Sequence, residues 1–216
     1  MEFHWGMVLC LAGAYLLGSI PTSVWMGKAL FGIDVREHGS GNAGATNALR
    51  VLGTKTGVSV LLLDALKGVA AVSLGWLVKD YFSSPDMFSV FQLLLGLFAL
   101  LGHVFPLFAN FRGGKGIATL AGVGTILFPL AILICLVVFL AFFLPTRFVS
   151  LGSIMASLVF PVAVIWITGP ATLPELIFSL MVALFVPLTH RKNIQRLIKG
   201  TENKIKFEKH NQQRRS

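Results

Sequence analysis

Residues 39–50 of this 216-residue chain read Gly-Ser-Gly-Asn-Ala-Gly-Ala-Thr-Asn-Ala-Leu-Arg. Gly39, Gly41 and Gly44 let backbone N–H groups come close to a ligand, and Ser40, Asn42, Thr46 and Asn47 set short side-chain donors beside them. Arg50 adds a positive charge. A second glycine cluster, Gly113, Gly114 and Gly116, surrounds Lys115. Further along come Arg147 with Ser150, then His190, Arg191 and Asn193. Such flexible, donor-rich backbone forms anion nests, and Arg50, Lys115 and Arg191 supply cations for phosphate oxygens, so a phosphorylated ligand is expected. His103 and His190 read either as acid–base groups or as hydrogen-bonded structural residues near helix ends, and His190 has the better claim to chemistry through its neighbours Arg191 and Asn193.

Two formal matches to nucleotide-binding patterns fail. Gly39, Gly41 and Gly44 fit G-x-G-x-x-G, but a dinucleotide site needs a preceding strand, and here an apolar helical stretch precedes it. Around Lys115, Ala109 stands where a Walker A loop needs its first glycine, and Gly116 where it needs Ser or Thr.

The elements that carry these residues belong to a membrane. Apolar residues make up 55% of the chain and charged residues only 12%, outside the balance of soluble domains. Stretches nearly free of charge run over 5–27, 56–78, 87–111, 116–146, 148–168 and 171–189. As one helix, 116–146 would be about 46 Å long against a hydrocarbon core of ~30 Å, and Pro129 interrupts it. Lys28, Arg36, Arg50 and Lys55 flank the first loop, and Arg112 and Lys115 the third. The charge rule puts both in the cytoplasm, and Lys79, Asp80 and Asp86 outside. A single crossing over 116–146 would carry Arg147 and the basic tail outside. Two short helices of about 14 residues each, parted near Pro129, return them to the cytoplasm. The expected fold is therefore all-α with seven transmembrane helices, N-terminus outside and C-terminus cytoplasmic, and a short helix pair around Pro129. One member of that pair starts below the membrane surface, with the glycines around Lys115 allowing a non-helical entry that lines a polar cavity.

One domain is expected over 1–203, followed by a basic, disordered cytoplasmic tail over 204–216. Nine of the eighteen Lys and Arg residues lie at or beyond Arg191, which predicts contact with anionic headgroups and no binding of nucleic acid. Cys10 and Cys135 sit in apolar runs and suggest neither a disulfide nor a metal site. Asp64 and Lys67, three apart on a helix, are either a structural ion pair or direct participants. Trp5, Trp25 and Trp76 read as interfacial anchors.

The segments Gly-Ser-Gly-Asn-Ala-Gly-Ala-Thr-Asn at 39–47 with Arg50, Leu-Asp-Ala-Leu-Lys-Gly at 63–68, and Gly-His-Val-Phe-Pro at 102–106 recur in one known family. So do Phe-Arg-Gly-Gly-Lys-Gly-Ile-Ala-Thr at 111–119, Arg-Phe-Val-Ser-Leu at 147–151 and His-Arg-Lys-Asn-Ile-Gln-Arg-Leu at 190–197. In this order, across nearly the whole chain, they resemble the bacterial acyl-phosphate:glycerol-3-phosphate acyltransferases.

The resemblance implies a multi-pass enzyme of the bacterial cytoplasmic (inner) membrane with its active site facing the cytoplasm. Its reaction would move a fatty acyl group from acyl phosphate to the sn-1 hydroxyl of glycerol 3-phosphate. The products would be lysophosphatidic acid (1-acyl-glycerol 3-phosphate) and inorganic phosphate, in the first step of bacterial phospholipid synthesis. Ser40, Arg50, Lys115, His190 and Asn193 would be catalytic. Binding of substrate and phosphate would fall to these together with Gly39, Gly41, Asn42, Gly44, Thr46, Asn47, Gly113, Gly114, Gly116 and Ser150. No metal or cofactor is implied. The partners would be glycerol 3-phosphate, fatty acyl phosphate and membrane lipid, with a functional link to the soluble enzyme that makes acyl phosphate.

An acyl phosphate is already activated, so holding hydroxyl and carbonyl together and stabilising developing charge suffice without an acyl-enzyme. None of the five histidines is followed five residues later by Asp, so the H-x4-D pair of other glycerolipid acyltransferases is absent. His190 and the donor phosphate are the two candidate proton acceptors, and the phosphate is favoured, with His190 binding or orienting. A phosphate-ester transporter would also need basic, glycine-rich loops, but it requires polar access from both faces. The external side offers little beyond Lys79, Asp80, Asp86 and Glu175.

Overall fold

The computed structural model describes residues 4–167 and 171–205, and the expected tail lies outside them from residue 206 onward. All regular structure among the described residues is helical. The chain begins with α1 (Trp5–Gly18) and α2 (Thr22–Phe31), which meet at 43°. Pro21 lacks an N–H and disfavours helical backbone in the residue before it, so the stretch expected to run unbroken over 5–27 divides at 19–21. After a polar loop come α3 (Ala45–Val51) and α4 (Thr54–Ser73), which continues as a tighter helical turn over Leu74–Tyr81. Ser84 caps α5 (Pro85–Val104), its hydroxyl accepting from the Met87 N–H at 3.3 Å.

The loop over 105–116 leads to α6 (Ile117–Leu127), then α7 (Pro129–Thr146) and α8 (Val149–Ile167). A capping box between Thr172 and Glu175 opens α9 (Leu173–Thr189), and α10 (Arg191–Ile198) turns away from it by 60°. The break before Pro129 falls where the sequence puts it, but the pair is uneven, with 11 residues in α6 and 18 in α7. The glycine loop at 113–116 shortens α6 at its start, leaving ~16 Å of helix where α7 has ~27 Å. Phe128 sits at the break, 2% exposed, and packs edge-on against Phe160 with ring centres 5.6 Å apart.

Among the described residues, four helical stretches are long and apolar enough to cross a membrane, Thr54–Tyr81, Pro85–Ala109, Pro129–Thr146 and Val149–Trp166. Counting each bent pair as one span brings the number to six, and α6 is a shorter apolar helix. Lipid tails are as apolar as the helices, so helix contacts rest on close packing. A Cβ at Gly18 would collide with the Ala99 carbonyl and one at Gly102 with the Tyr15 carbonyl, so α1 and α5 touch backbone to backbone. Gly68 and Gly122 do the same for α4 and α6 against Thr119 and Ala65. Around these contacts, Val72, Leu100, Leu120, Val123, Phe160 and Val186 form the central core. Leu133, Leu136, Val137, Leu140 and Leu144 of α7 point outward, as a lipid-facing surface requires.

Candidate active site

The loop before α3 is shaped by its own polar groups. Gly32, with φ of 68°, ends α2, and Asp34 caps the turn at Val35–Glu37 by accepting from the Arg36 N–H at 3.0 Å. The Arg36 guanidinium grips Asp34 and donates to the Ala109 carbonyl at 2.8 Å, tying this loop to the one after α5. That cation holds the Asp34 carboxyl well below the usual carboxylate range. Asn47 folds residues 35–40 onto α3. Its amide donates to the carbonyls of Val35 at 2.7 Å and His38 at 3.1 Å, and its oxygen accepts from the Ser40 N–H at 2.8 Å. Gly39 allows that turn with φ of 61°, and a Cβ there would strike the Asn47 side chain.

Loop 113–116 folds back on the end of α5. The Gly113 and Gly114 N–H groups donate to the carbonyls of Val104 at 3.2 Å and His103 at 3.1 Å. Neither glycine has room for a side chain, because the His103 carbonyl and ring fill the space. Lys115 emerges from this loop and donates to Asn193 Oδ1. Asn193 donates in turn to Glu202 Oε1 at 2.6 Å, which also accepts from Ser150 at 2.9 Å. Arg196 Nε meets Glu202 Oε2 at 2.7 Å. The segment after α10 crosses back over these groups. Arg50 donates to the Asn203 carbonyl at 3.0 Å, and the Ile205 N–H to the Arg147 carbonyl at 3.0 Å.

The result is a cavity of about 530 Å³ lined by the two glycine loops, the start of α8 and the chain around α10, with further residues from α4, α5 and α7. Every residue the sequence singles out for catalysis or binding lines it except Gly39, whose place is in the turn behind. Among the described residues, the side chains of Ser40, Asn42 and Thr46 take part in no hydrogen bond and the buried Arg50 Nε has no partner, so these groups stand open to a ligand. Asn47 is committed to the loop. Leu61, Val104, Phe139, Val149 and Leu188 give the same cavity an apolar wall.

Arg50, Lys115 and Arg196 face one another across this space, with Glu202 as the counter-charge. Burial, reinforced by Arg196 and Arg50 and opposed by Glu202, pushes Lys115 down to about 8. Burial likewise lowers Arg50. Burial works to raise Glu202, but the hydrogen bonds from Arg196, Asn193 and Ser150 outweigh it and hold the carboxyl below its usual range. Past the end of α9, burial and the Lys115 cation push His190 down to about 4. Its Nδ1 faces the Val186 carbonyl at 2.8 Å, so a neutral ring donates there and keeps Nε2 as an acceptor.

The sequence reading did not single out Glu202 and Arg196, although Glu202 is the one acid among the charged residues from Arg191 to Lys204. Ser153, one turn beyond Ser150 on α8, also lines the cavity, with a buried hydroxyl that has no partner among the described residues. Asp64 and His103 reach the cavity from α4 and α5.

Residues 8–200 match the family model described as glycerol-3-phosphate acyltransferase. A glycerol-3-phosphate acyltransferase of Chlorobium phaeobacteroides is 43% identical, the match covering 94% of this chain and 98% of that protein. One from Trichlorobacter lovleyi is 47% identical over 91% of this chain and 96% of its own length. Among solved structures, the glycerol 3-phosphate form of PlsY (YgiH), an integral membrane glycerol 3-phosphate acyltransferase, superposes with a TM-score of 0.82 at 37% identity. That match covers 93% of this chain and 96% of PlsY. The lysphosphatidic acid form of the same protein gives 0.79 at 36% identity, over 93% and 95% of the two chains.

Proposed function

We propose, from the premise that the chain belongs to the glycerol-3-phosphate acyltransferase family, that it moves a fatty acyl group from an acyl phosphate to the sn-1 hydroxyl of glycerol 3-phosphate. The observation that carries this reading is the convergence of Arg50, Lys115, His190 and Asn193, from separate segments, on one cavity with an apolar wall. Two phosphate-bearing substrates need several cations and open donors. The fatty chain needs apolar surface beside them.

In this reading Arg50 and Lys115 hold phosphate oxygens while Ser40, Asn42, Thr46 and the N–H groups of the two glycine loops donate to those that remain. The glycerol hydroxyl oxygen attacks the acyl carbonyl carbon, forming the ester C–O bond. The carbonyl–phosphate C–O bond breaks, and the hydroxyl proton passes to the departing phosphate, so that acyl phosphate and alcohol become ester and hydrogen phosphate. His190, pushed down to about 4, is a weaker base than a phosphate dianion, whose second ionisation lies near ~6. Its Nε2 therefore accepts a hydrogen bond and orients the hydroxyl, and the phosphate takes the proton. Positioning and charge stabilisation supply the rate, with no acyl-enzyme.

The enzyme works in the bacterial cytoplasmic membrane with seven crossings, made by α1 and α4 to α9, N-terminus outside and C-terminus inside. The cavity opens to the cytoplasm, where a soluble enzyme makes the acyl phosphate. Lys28, Arg36, Arg50, Arg112, Lys115 and Arg147 belong to the connections on that side and Lys55 to the first turn of α4, as the charge rule requires. Purified protein given acyl phosphate and glycerol 3-phosphate is expected to release lysophosphatidic acid and inorganic phosphate in equal amounts. Absence of the lipid product, or an equal yield from acyl-CoA alone, would overturn the donor assignment.

A further inference from the structure

Asp64 lies ten residues along α4 from its start at Thr54, ~15 Å into the helix, and is 2% exposed. Its Oδ1 accepts from Thr22 at 3.0 Å and pairs with Lys67 Nζ at 2.8 Å, and Lys67 also donates to the Ile20 carbonyl at 2.9 Å. His103 Nδ1 stands 3.8 Å from the same oxygen and 3.1 Å from the Thr119 hydroxyl. All of these contacts are made by Oδ1, and among the described residues no hydrogen bond is made by Oδ2.

The two partners face different spaces. Lys67 and Thr22 line a separate apolar groove of about 370 Å³ between α1, α2 and α4, while Asp64 lines the polar cavity. The pair thus stands between groove and cavity, Lys67 bordering the first and Asp64 the second. A buried ion pair that served packing alone could be replaced by apolar groups at little or no loss of stability, so a carboxylate with one oxygen left over at a cavity floor calls for a ligand. Glu202, the other carboxylate of the cavity, has both oxygens engaged by Ser150, Asn193 and Arg196.

We propose that Asp64 Oδ2 accepts a hydrogen bond from the middle hydroxyl of the glycerol unit and so selects a three-carbon polyol phosphate over shorter or deoxygenated alcohols. This rests on the reading of the cavity as a glycerol 3-phosphate site. In the complex of both substrates a phosphate lies near each end of the glycerol unit, one on its third carbon and one on the acyl donor approaching its first. A carboxylate is repelled by both, and the middle hydroxyl is the donor it can reach with the least repulsion. The remaining groups at hand are mostly cations and donors, suited to phosphate, so the acceptor that a polyol needs comes from α4.

The test compares glycerol 3-phosphate with 1,3-propanediol monophosphate, which lacks only the middle hydroxyl, using purified wild type and the charge-balanced double variant Asp64→Asn/Lys67→Met with one acyl phosphate. Wild type is expected to use the deoxy compound with kcat/KM about 10- to 100-fold lower. The double variant should lose a similar factor on glycerol 3-phosphate but change less than about threefold on the deoxy compound. Equal losses on both compounds, or no loss on glycerol 3-phosphate, would overturn the proposal. Equal use of both compounds by wild type would overturn it without any variant. A wild type that acylates neither compound would instead sink the reading of the cavity itself.

Discussion

The cluster of Lys115, Asn193, Glu202, Arg196 and Ser150 is assembled from loops and helix ends, whereas that of Thr22, Asp64, Lys67, His103 and Thr119 is carried by side chains within packed helices. The first leaves donors open to the cavity. In the second, Lys67 has both partners it needs and Asp64 keeps a single oxygen free. A loop-borne cluster can lose one member and leave the helices in place, while a helix-borne cluster that loses one charge strands the other in low dielectric. Loss of a single charge should therefore strike function in the first region and, in the second, folding before anything else.

The largest effect is expected inside the helices. Lys67→Met leaves the Asp64 carboxylate unpaired and should cost about 3–5 kcal/mol of stability, measured by denaturation in detergent. Adding Asp64→Asn should recover most of it. If the single variant melts like wild type, the two regions do not differ in the way described. On the loop side, Lys115→Ala should lower kcat/KM by about 10²- to 10³-fold with the melting temperature nearly unchanged, because among the described residues the one hydrogen bond of the Lys115 side chain goes to Asn193. A Lys115→Ala protein that turns over normally would remove the main cation from the proposed chemistry.

The same contrast explains what could be read from the chain. Hydropathy and charge are properties of local sequence, so the apolar stretches, the break before Pro129 and the three polar clusters were all legible. What a residue does once folded depends on partners far along the chain. Asn47 reads as a ligand group and lines the cavity, but that its amide also clamps the loop was hidden, since its partners Val35 and His38 come from a turn that glycine-rich sequence does not specify. Glu202 acquires its place from Ser150, 52 positions away, and no periodic pattern announces such a contact. Pro21 was visible, but the bend at 19–21 was hidden by an apolar run that continues past it. The unequal lengths of α6 and α7 follow from the fold of loop 113–116 around His103, which is again a long-range contact.

Helix packing offers a smaller and cleaner test. Gly122→Ala places a methyl against the Ala65 carbonyl where α6 crosses α4, and the helices must part to admit it. A loss of about 1–3 kcal/mol is expected. Gly41→Ala in the loop should have less effect on melting, since a Cβ there would meet only the Arg36 carbonyl, at 3.3 Å, although its φ of 71° still disfavours alanine. If the loop variant were the less stable of the two, the glycines of the loop would be holding the fold as much as those of the helices.

The smallest effect is a pH dependence that belongs to the loop cluster alone. Burial first, then Arg196 and Arg50, lower Lys115 to about 8, so the cation is present below that pH and is lost as pH rises through it. Phosphate oxygens need the charged form, so kcat/KM, which reports groups of the free enzyme, should fall on the alkaline side. With a value of about 8, the protonated fraction drops about tenfold between pH 7 and pH 9. The phosphate of the acceptor has completed its second ionisation, near ~6, before this range begins, so the decline belongs to the protein. Replacing Lys115 by Arg supplies a cation that does not titrate here. Whatever activity that variant keeps should therefore lack the alkaline fall, and an unchanged limb would move the titration to another group.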